Sequence, residues 1–204
     1  MNCIKVCGMR DAHNIREVEA LGIDMMGFIF APQSPRYLDA VPAWLPRCSR
    51  VGVFVNAAPD EIIGKSRQYR LTHIQLHGNE TPQYCRQIRN ATGLHVIKAT
   101  TPQAAQAYED DADMFIFDTP GGGTGTKFDW TQLDLYHGNR PFLLAGGIGP
   151  DDAQAVAAIT HPQFAGVDLN SRFEIRPGLK DPEKIRTFIK TIRQDESHKP
   201  DIPE

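Results

Sequence analysis

No apolar run in this 204-residue sequence is long enough for a membrane span or a signal peptide, so the protein is expected in the cytoplasm. Charge of one sign is also missing. The 22 Lys and Arg nearly balance 25 Asp and Glu, for a formal net charge of −3. That balance gives no footprint for nucleic acid or an anionic membrane. The four cysteines, Cys3, Cys7, Cys48 and Cys85, show no C-x-x-C spacing, which argues against zinc and thioredoxin-like sites; disulfides are not expected in this compartment. No G-x-G-x-x-G follows the first apolar run, and no glycine-rich stretch ends in the Lys-Ser/Thr of a P-loop. Linkers, close repeats and low-complexity segments are absent too. The composition, 41% hydrophobic and 23% charged, is that of one ordinary globular domain.

What the sequence does contain is a recurring short run of β-branched or aromatic residues. Eight strands are expected, at Cys3–Cys7, Met25–Phe30, Val51–Val55, Ile74–Leu76, His95–Lys98, Met114–Phe117, Phe142–Leu144 and Gly166–Leu169. Helical spacing lies between them. Examples are Ile15, Val18 and Leu21 before Gly22, and Ile185, Phe188, Ile189 and Ile192 after an Asp181 cap and Pro182. Alternation of strand and helix eight times, at about 25 residues per unit, predicts an α/β fold of the single-domain (β/α)₈ TIM-barrel type over 1–193. An open doubly wound sheet is the competitor. The polar segment 194–204, with two prolines, is expected to be a disordered tail.

Parity along the first strand puts Cys3, Lys5 and Cys7 on one face, with Ile4 and Val6 on the other. If the apolar pair packs on helices, Cys7 points into the barrel at the C-terminal end of its strand. There it is either a small buried hydrophobe or a base and nucleophile. Cys3 lies deeper and reads as structural; Cys48 and Cys85 fall in helical segments and read as packing. The sixth strand ends in Asp118, ahead of the glycine-rich run 120–126, so that this carboxylate is either a cap or a site residue.

The seventh and eighth strands end in Gly146-Gly147 and in Asn170-Ser171, where barrel enzymes often hold phosphate on backbone N–H groups. Arg36 occupies a rim loop, either solvated or gripping a carboxylate. His73 and His77 flank Gln75, but a strand separates them by roughly 13 Å, too far to share a zinc ion. His77 and Gln75 are placed to line the site, and His73 to sit in the core or on the bottom face. Lys98 is either paired or a Schiff-base amine.

Taken in order along the chain, these motifs resemble the phosphoribosylanthranilate isomerase family. The residues that carry the likeness include Lys5-Val6-Cys7-Gly8, Ser34-Pro35-Arg36-Tyr37, Gln75-Leu76-His77-Gly78, Phe117-Asp118-Thr119, Ala145-Gly146-Gly147 and Pro177-Gly178-Leu179-Lys180-Asp181. The resemblance implies an aldose–ketose isomerase of tryptophan biosynthesis. Its reaction is an Amadori rearrangement of N-(5-phosphoribosyl)anthranilate to 1-(2-carboxyphenylamino)-1-deoxyribulose 5-phosphate, with neither metal nor cofactor. It also implies Asp118 as general acid, Cys7 as general base, Arg36 on the anthranilate carboxylate, and the phosphate on Gly146, Gly147, Asn170 and Ser171.

One position departs from the family. Many relatives have glycine where this chain has Arg172, which is either a further phosphate contact or solvent-facing. The alternatives are a Schiff-base lyase using Lys98 or Lys5, and a sugar-phosphate binder without catalysis. The apolar pattern does not choose between monomer and homodimer.

Overall fold

A computed structural model describes residues 3–119 and 129–196, with side chains as far as Arg193. Eight parallel strands close into a barrel in sequence order: β1 (Cys3–Cys7), β2 (Met25–Ile29), β3 (Ser49–Phe54), β4 (His73–Leu76), β5 (His95–Thr100), β6 (Met114–Phe117), β7 (Phe142–Leu144) and β8 (Phe164–Leu169). Closure comes from β1 pairing with β8, with Lys5 opposite Asp168 in the register. This is the (β/α)₈ barrel and not the open sheet. Among the described residues, no helix is long and apolar enough to cross a membrane.

Alternation along each strand sorts side chains into two environments. Ile4 and Val6 of β1 point outward and join Ile15 and Val18 in the main core between strands and helices. Inward-facing residues stack in layers within the barrel. Met25, Val51, Ile97, Ile116 and Leu143 form one layer, and Cys7, Ile29 and Val53 pack in another. Cys7 therefore faces the interior, as its strand parity requires.

Helices α1 (Ala12–Glu19), α2 (Pro59–Gln68), α3 (Pro82–Thr92), α4 (Pro102–Ala105), α5 (Ala153–Ala157) and α6 (Pro182–Glu196) cover the outside. Their starts follow local chemistry. Asp11 caps α1 by accepting from the N–H groups of His13 and Asn14. Asp181 does the same for α6 from Glu183 and Lys184, with Pro182 at the first helical position.

The regular alternation fails between β2 and β3, where no helix forms. Four prolines (Pro32, Pro35, Pro42, Pro46) remove backbone donors there, and residues 30–48 run instead as turns. Trp44 and Leu45 pack on the core in place of a helix, with the Arg16 guanidinium 5.4 Å above the Trp44 ring. Cys48 consequently lies in an irregular segment before β3 and not in a helix, although it still packs against the core. Cys85 is on α3 as expected. Between β6 and β7 the described residues hold only a 3₁₀ segment, Trp130–Leu135. The glycine-rich run and residues 197–204 of the anticipated tail lie outside the described residues.

Candidate active site

The strands' C-terminal ends surround a cavity of about 800 Å³. Cys7, Arg36, Gln75, His77, Asp118, Gly146, Gly147, Asn170 and Ser171 all line it. Residues singled out from six separate stretches of sequence thus meet in one space.

On the β1 side, Cys7 packs against Gly27 of β2; a Cβ on that glycine would fall 2.6 Å from the thiol sulfur. Beneath it, Lys5 donates from Nζ to Asp168 Oδ2 at 2.8 Å, both side chains being buried. Burial works against the Lys5 ammonium, but the Asp168 carboxylate and the neighbouring Cys7 outweigh it and hold the pKa above the ordinary lysine value. Burial pushes the Asp168 carboxyl above the ordinary aspartate range, with Lys5 opposing that rise. Burial pushes the Cys7 thiol up, and the positive charges of Lys5 and Lys180 oppose that rise. Among the described residues, Asp168 Oδ1 is buried without a hydrogen-bond partner. The other thiols sit in settings that suppress ionisation, with burial lifting Cys3 and Cys48 to about 12 and Cys85 to about 11.

Across the barrel, Asp118 follows β6. Its Oδ1 accepts from the Thr119 N–H at 2.7 Å, and its Oδ2 lies 3.4 Å from His77 Nε2. His77 Nδ1 is 2.8 Å from Gln75 Nε2, an amide nitrogen that can only donate. The imidazole proton then resides on Nε2, directed at Asp118. Behind His77 the loop is braced by Glu80, which accepts from the N–H groups of Asn56 and Gly78 and from Lys98 Nζ. Burial opposes the charge on Glu80, yet these contacts hold its carboxyl below the ordinary glutamate range.

The two candidate Schiff-base amines are both committed elsewhere. Lys98 Nζ lies 2.8 Å from Glu80 Oε2 and also donates to the carbonyls of Leu76 and Gly78, while Lys5 is tied to Asp168. A lysine nucleophile must present a free amine, and both are held by carboxylates. His73 sits at the opposite end of β4 and stacks on His95, with ring centroids 5.2 Å apart.

At the rim beyond β7, Gly146 and Gly147 take consecutive left-handed conformations, φ 77° and 72°, which side chains disfavour. Asn170 Oδ1 accepts from Lys180 Nζ at 2.7 Å. Arg172 reaches across the rim, its Nε 3.6 Å from where a Gly149 Cβ would lie. Arg36 is held by Glu174 through two bonds of 2.9 and 2.7 Å, which raise its pKa further. Burial would lift Glu174, but Arg36 and Lys180 outweigh it and keep the carboxyl below the ordinary range. Burial in turn depresses the Lys180 ammonium despite the attraction of Glu174.

Sequence reasoning did not select Asp168, Glu174 or Lys180. The available signal was a charged residue closing an otherwise apolar strand, which suits Asp168 and is weaker for the other two. Among the described residues, no three His, Cys, Asp or Glu side chains converge to hold a metal ion.

A family model described as N-(5'phosphoribosyl)anthranilate (PRA) isomerase matches residues 4–191. N-(5'-phosphoribosyl)anthranilate isomerase of Phocaeicola vulgatus is 47% identical over 201 residues, spanning 94% of this chain and 98% of the relative. Among solved structures, phosphoribosyl anthranilate isomerase from Thermus thermophilus superposes with a TM-score of 0.81 at 28% identity, over 94% of this chain and 98% of that one. Another, in complex with reduced 1-(o-carboxyphenylamino)-1-deoxyribulose 5-phosphate, gives a TM-score of 0.75 at 28% identity over 95% of this chain and all of its own. With the match running from β1 into α6, the chain belongs to the N-(5'-phosphoribosyl)anthranilate isomerase family.

Proposed function

We propose that this chain catalyses the Amadori rearrangement of N-(5-phosphoribosyl)anthranilate, with Asp118 as general acid and Cys7 as general base. The observation that carries the reading is the placement of these two groups on opposite strands, β6 and β1, facing one cavity. The solved relative with a reduced product analogue supports the choice of substrate.

Asp118 gives a proton to the furanose ring oxygen, and the anilino nitrogen lone pair drives cleavage of the C1'–O bond, leaving a protonated Schiff base. The Cys7 thiolate then removes the C2' proton, and the C2'–H electrons neutralise the iminium to give an enolamine. Moving the C2' hydroxyl proton to C1' completes the ketone. Cys7 ends protonated and Asp118 ionised, so one proton passes from the thiol back to the carboxylate, through solvent in the open cavity, before the next turnover; no electrons leave or enter the site.

The surroundings suit both roles. A thiol with a raised pKa is a stronger base once ionised, and Lys5 favours that ionised form. His77, with its Nε2–H toward Asp118, keeps the carboxyl group oriented on the cavity. Arg36 takes the anthranilate carboxylate, while backbone groups around Gly146, Gly147, Asn170 and Ser171 take the phosphate.

The test offers phosphoribosylanthranilate, formed in situ from anthranilate and phosphoribosyl pyrophosphate by a coupling transferase, to the purified protein and follows loss of anthranilate fluorescence. Turnover is expected in the wild type. Cys7→Ala and Asp118→Ala should each lower kcat at least about 10²-fold with folding intact. A variant turning over like the wild type removes its residue from the mechanism.

A further inference from the structure

Arg36 does not approach the cavity as a free side chain. Its Nε and Nη2 make parallel bonds to Glu174 Oε1 and Oε2, across 138 residues of sequence. Glu174 Oε1 also accepts from Lys180 Nζ at 2.7 Å and from the Gly178 N–H at 3.0 Å. The three side chains Arg36, Glu174 and Lys180 are only 11%, 5% and 0% exposed. Gly8 closes the other side, since a Cβ there would lie 2.7 Å from Arg36 Cδ.

Two consequences follow from guanidinium geometry. With Glu174 on the Nε–Nη2 edge, the edge left for a ligand is Nη1–Nη2, which offers two parallel N–H groups to a carboxylate. The cluster also carries two positive charges against one negative. Its net charge of +1 matches one incoming carboxylate, whereas an Arg36–Glu174 pair alone would be neutral and attract none.

We infer that Glu174 is a positioning residue that fixes the free edge of Arg36 on the cavity, and that Glu174 and Lys180 together make this enzyme selective for an aryl amine bearing a carboxylate. The inference rests on the assignment of Arg36 to the substrate carboxylate, and its test separates the two.

The readout is the ratio of kcat/KM for phosphoribosylanthranilate to that for N-(5-phosphoribosyl)aniline, made by condensing aniline with ribose 5-phosphate. Arg36→Met should collapse the ratio. Glu174→Asp, which keeps the charge but withdraws the fork, should lower it about tenfold through KM for the carboxylated substrate; Lys180→Met, which also removes the hydrogen bond to Asn170 and a positive charge near Cys7, should lower kcat/KM for both substrates, but for the carboxylated one about tenfold more. General damage to the barrel would lower both substrates alike. If Glu174→Asp does not fold, the Lys180→Met ratio carries the test. An unchanged ratio in the Glu174 and Lys180 variants, alongside collapse in Arg36→Met, overturns the inference and leaves the Arg36 assignment standing. An unchanged ratio in Arg36→Met overturns both.

Discussion

Lys5 and Asp168 sit opposite each other where the first and last strands close the barrel, joined at 2.8 Å between Nζ and Oδ2. This pair lies under Cys7, and Lys5 acts on the thiol more strongly than Asp168 does. Burial holds Cys7 above the ordinary thiol range, so the thiolate becomes more abundant as pH rises, and the rate of Cys7 alkylation should climb through neutral pH into the alkaline range. Lys5→Gln alone would strand a buried carboxylate, at a cost of about 3–5 kcal/mol. The double variant Lys5→Gln with Asp168→Asn keeps a neutral hydrogen-bonded pair. In it, the pH limb for iodoacetamide alkylation of Cys7, followed by peptide mass spectrometry, should move to higher pH. A limb at the wild-type position would mean that Lys5 does not act on the thiol.

Gly27 gives Cys7 its room. A Cβ at residue 27 would stand 2.6 Å from Sγ and 3.0 Å from the Cys7 Cα, so the thiol must leave its rotamer or the strand must shift. Gly27→Ala should cost about 1–3 kcal/mol of stability. With the base displaced by even part of an ångström, kcat should fall by about 10²-fold or less while KM changes little. Steady-state kinetics beside a thermal melt checks this, and a wild-type kcat in the folded variant would rule out a finely placed sulfur.

Much of this architecture is legible in the sequence because the signals are local. All eight strands are apolar runs that propensity and length pick out, and Cys7 and Asp118 fall at strand ends by simple parity. The eightfold alternation fails between β2 and β3 because four prolines forbid a helix there, which is why Cys48 lies outside a helix although the strand–helix pattern places it in one. The Arg36–Glu174–Lys180 cluster is a product of closure. Glu174 and Lys180 come from the short antiparallel strands β9 (Glu174–Arg176) and β10 (Leu179–Lys180), and nothing in their own neighbourhood names a partner 138 residues away.

His73 sets an acid limit on stability. Burial, with the like charge of His95, lowers its pKa from 6.5 to about 4. The unfolded chain therefore binds the extra proton between those values. The stabilisation is fully present above pH 6.5 and fades as pH falls toward 4. With the ring half-buried and partly screened by solvent, the loss is discounted to about 1–2 kcal/mol. Urea midpoints at pH 6.5 and 4.5 should separate more for wild type than for His73→Gln, in which this titration is gone. Equal separations would assign the acid sensitivity to carboxylates.

Arg172 stands where the family resemblance leads to glycine. Its guanidinium crosses Gly149, with Nε and Nη2 3.6 and 3.8 Å from the position a Cβ would take there. That places a cation beside Gly149, two residues past the Gly146-Gly147 turn, and next in sequence to Ser171, which is assigned to phosphate. The side chain is exposed, so its contribution is screened and modest. Arg172→Ala should raise KM about three- to tenfold with kcat within twofold, and weaken inhibition by inorganic phosphate in parallel. Since a screened cation is the cause, the KM difference between wild type and variant should shrink as salt rises from 50 mM to 500 mM, conditions under which the Debye length falls from about 14 to about 4 Å. A KM that is unchanged at low salt would show instead that Arg172 faces solvent and that the backbone cradle holds the phosphate alone.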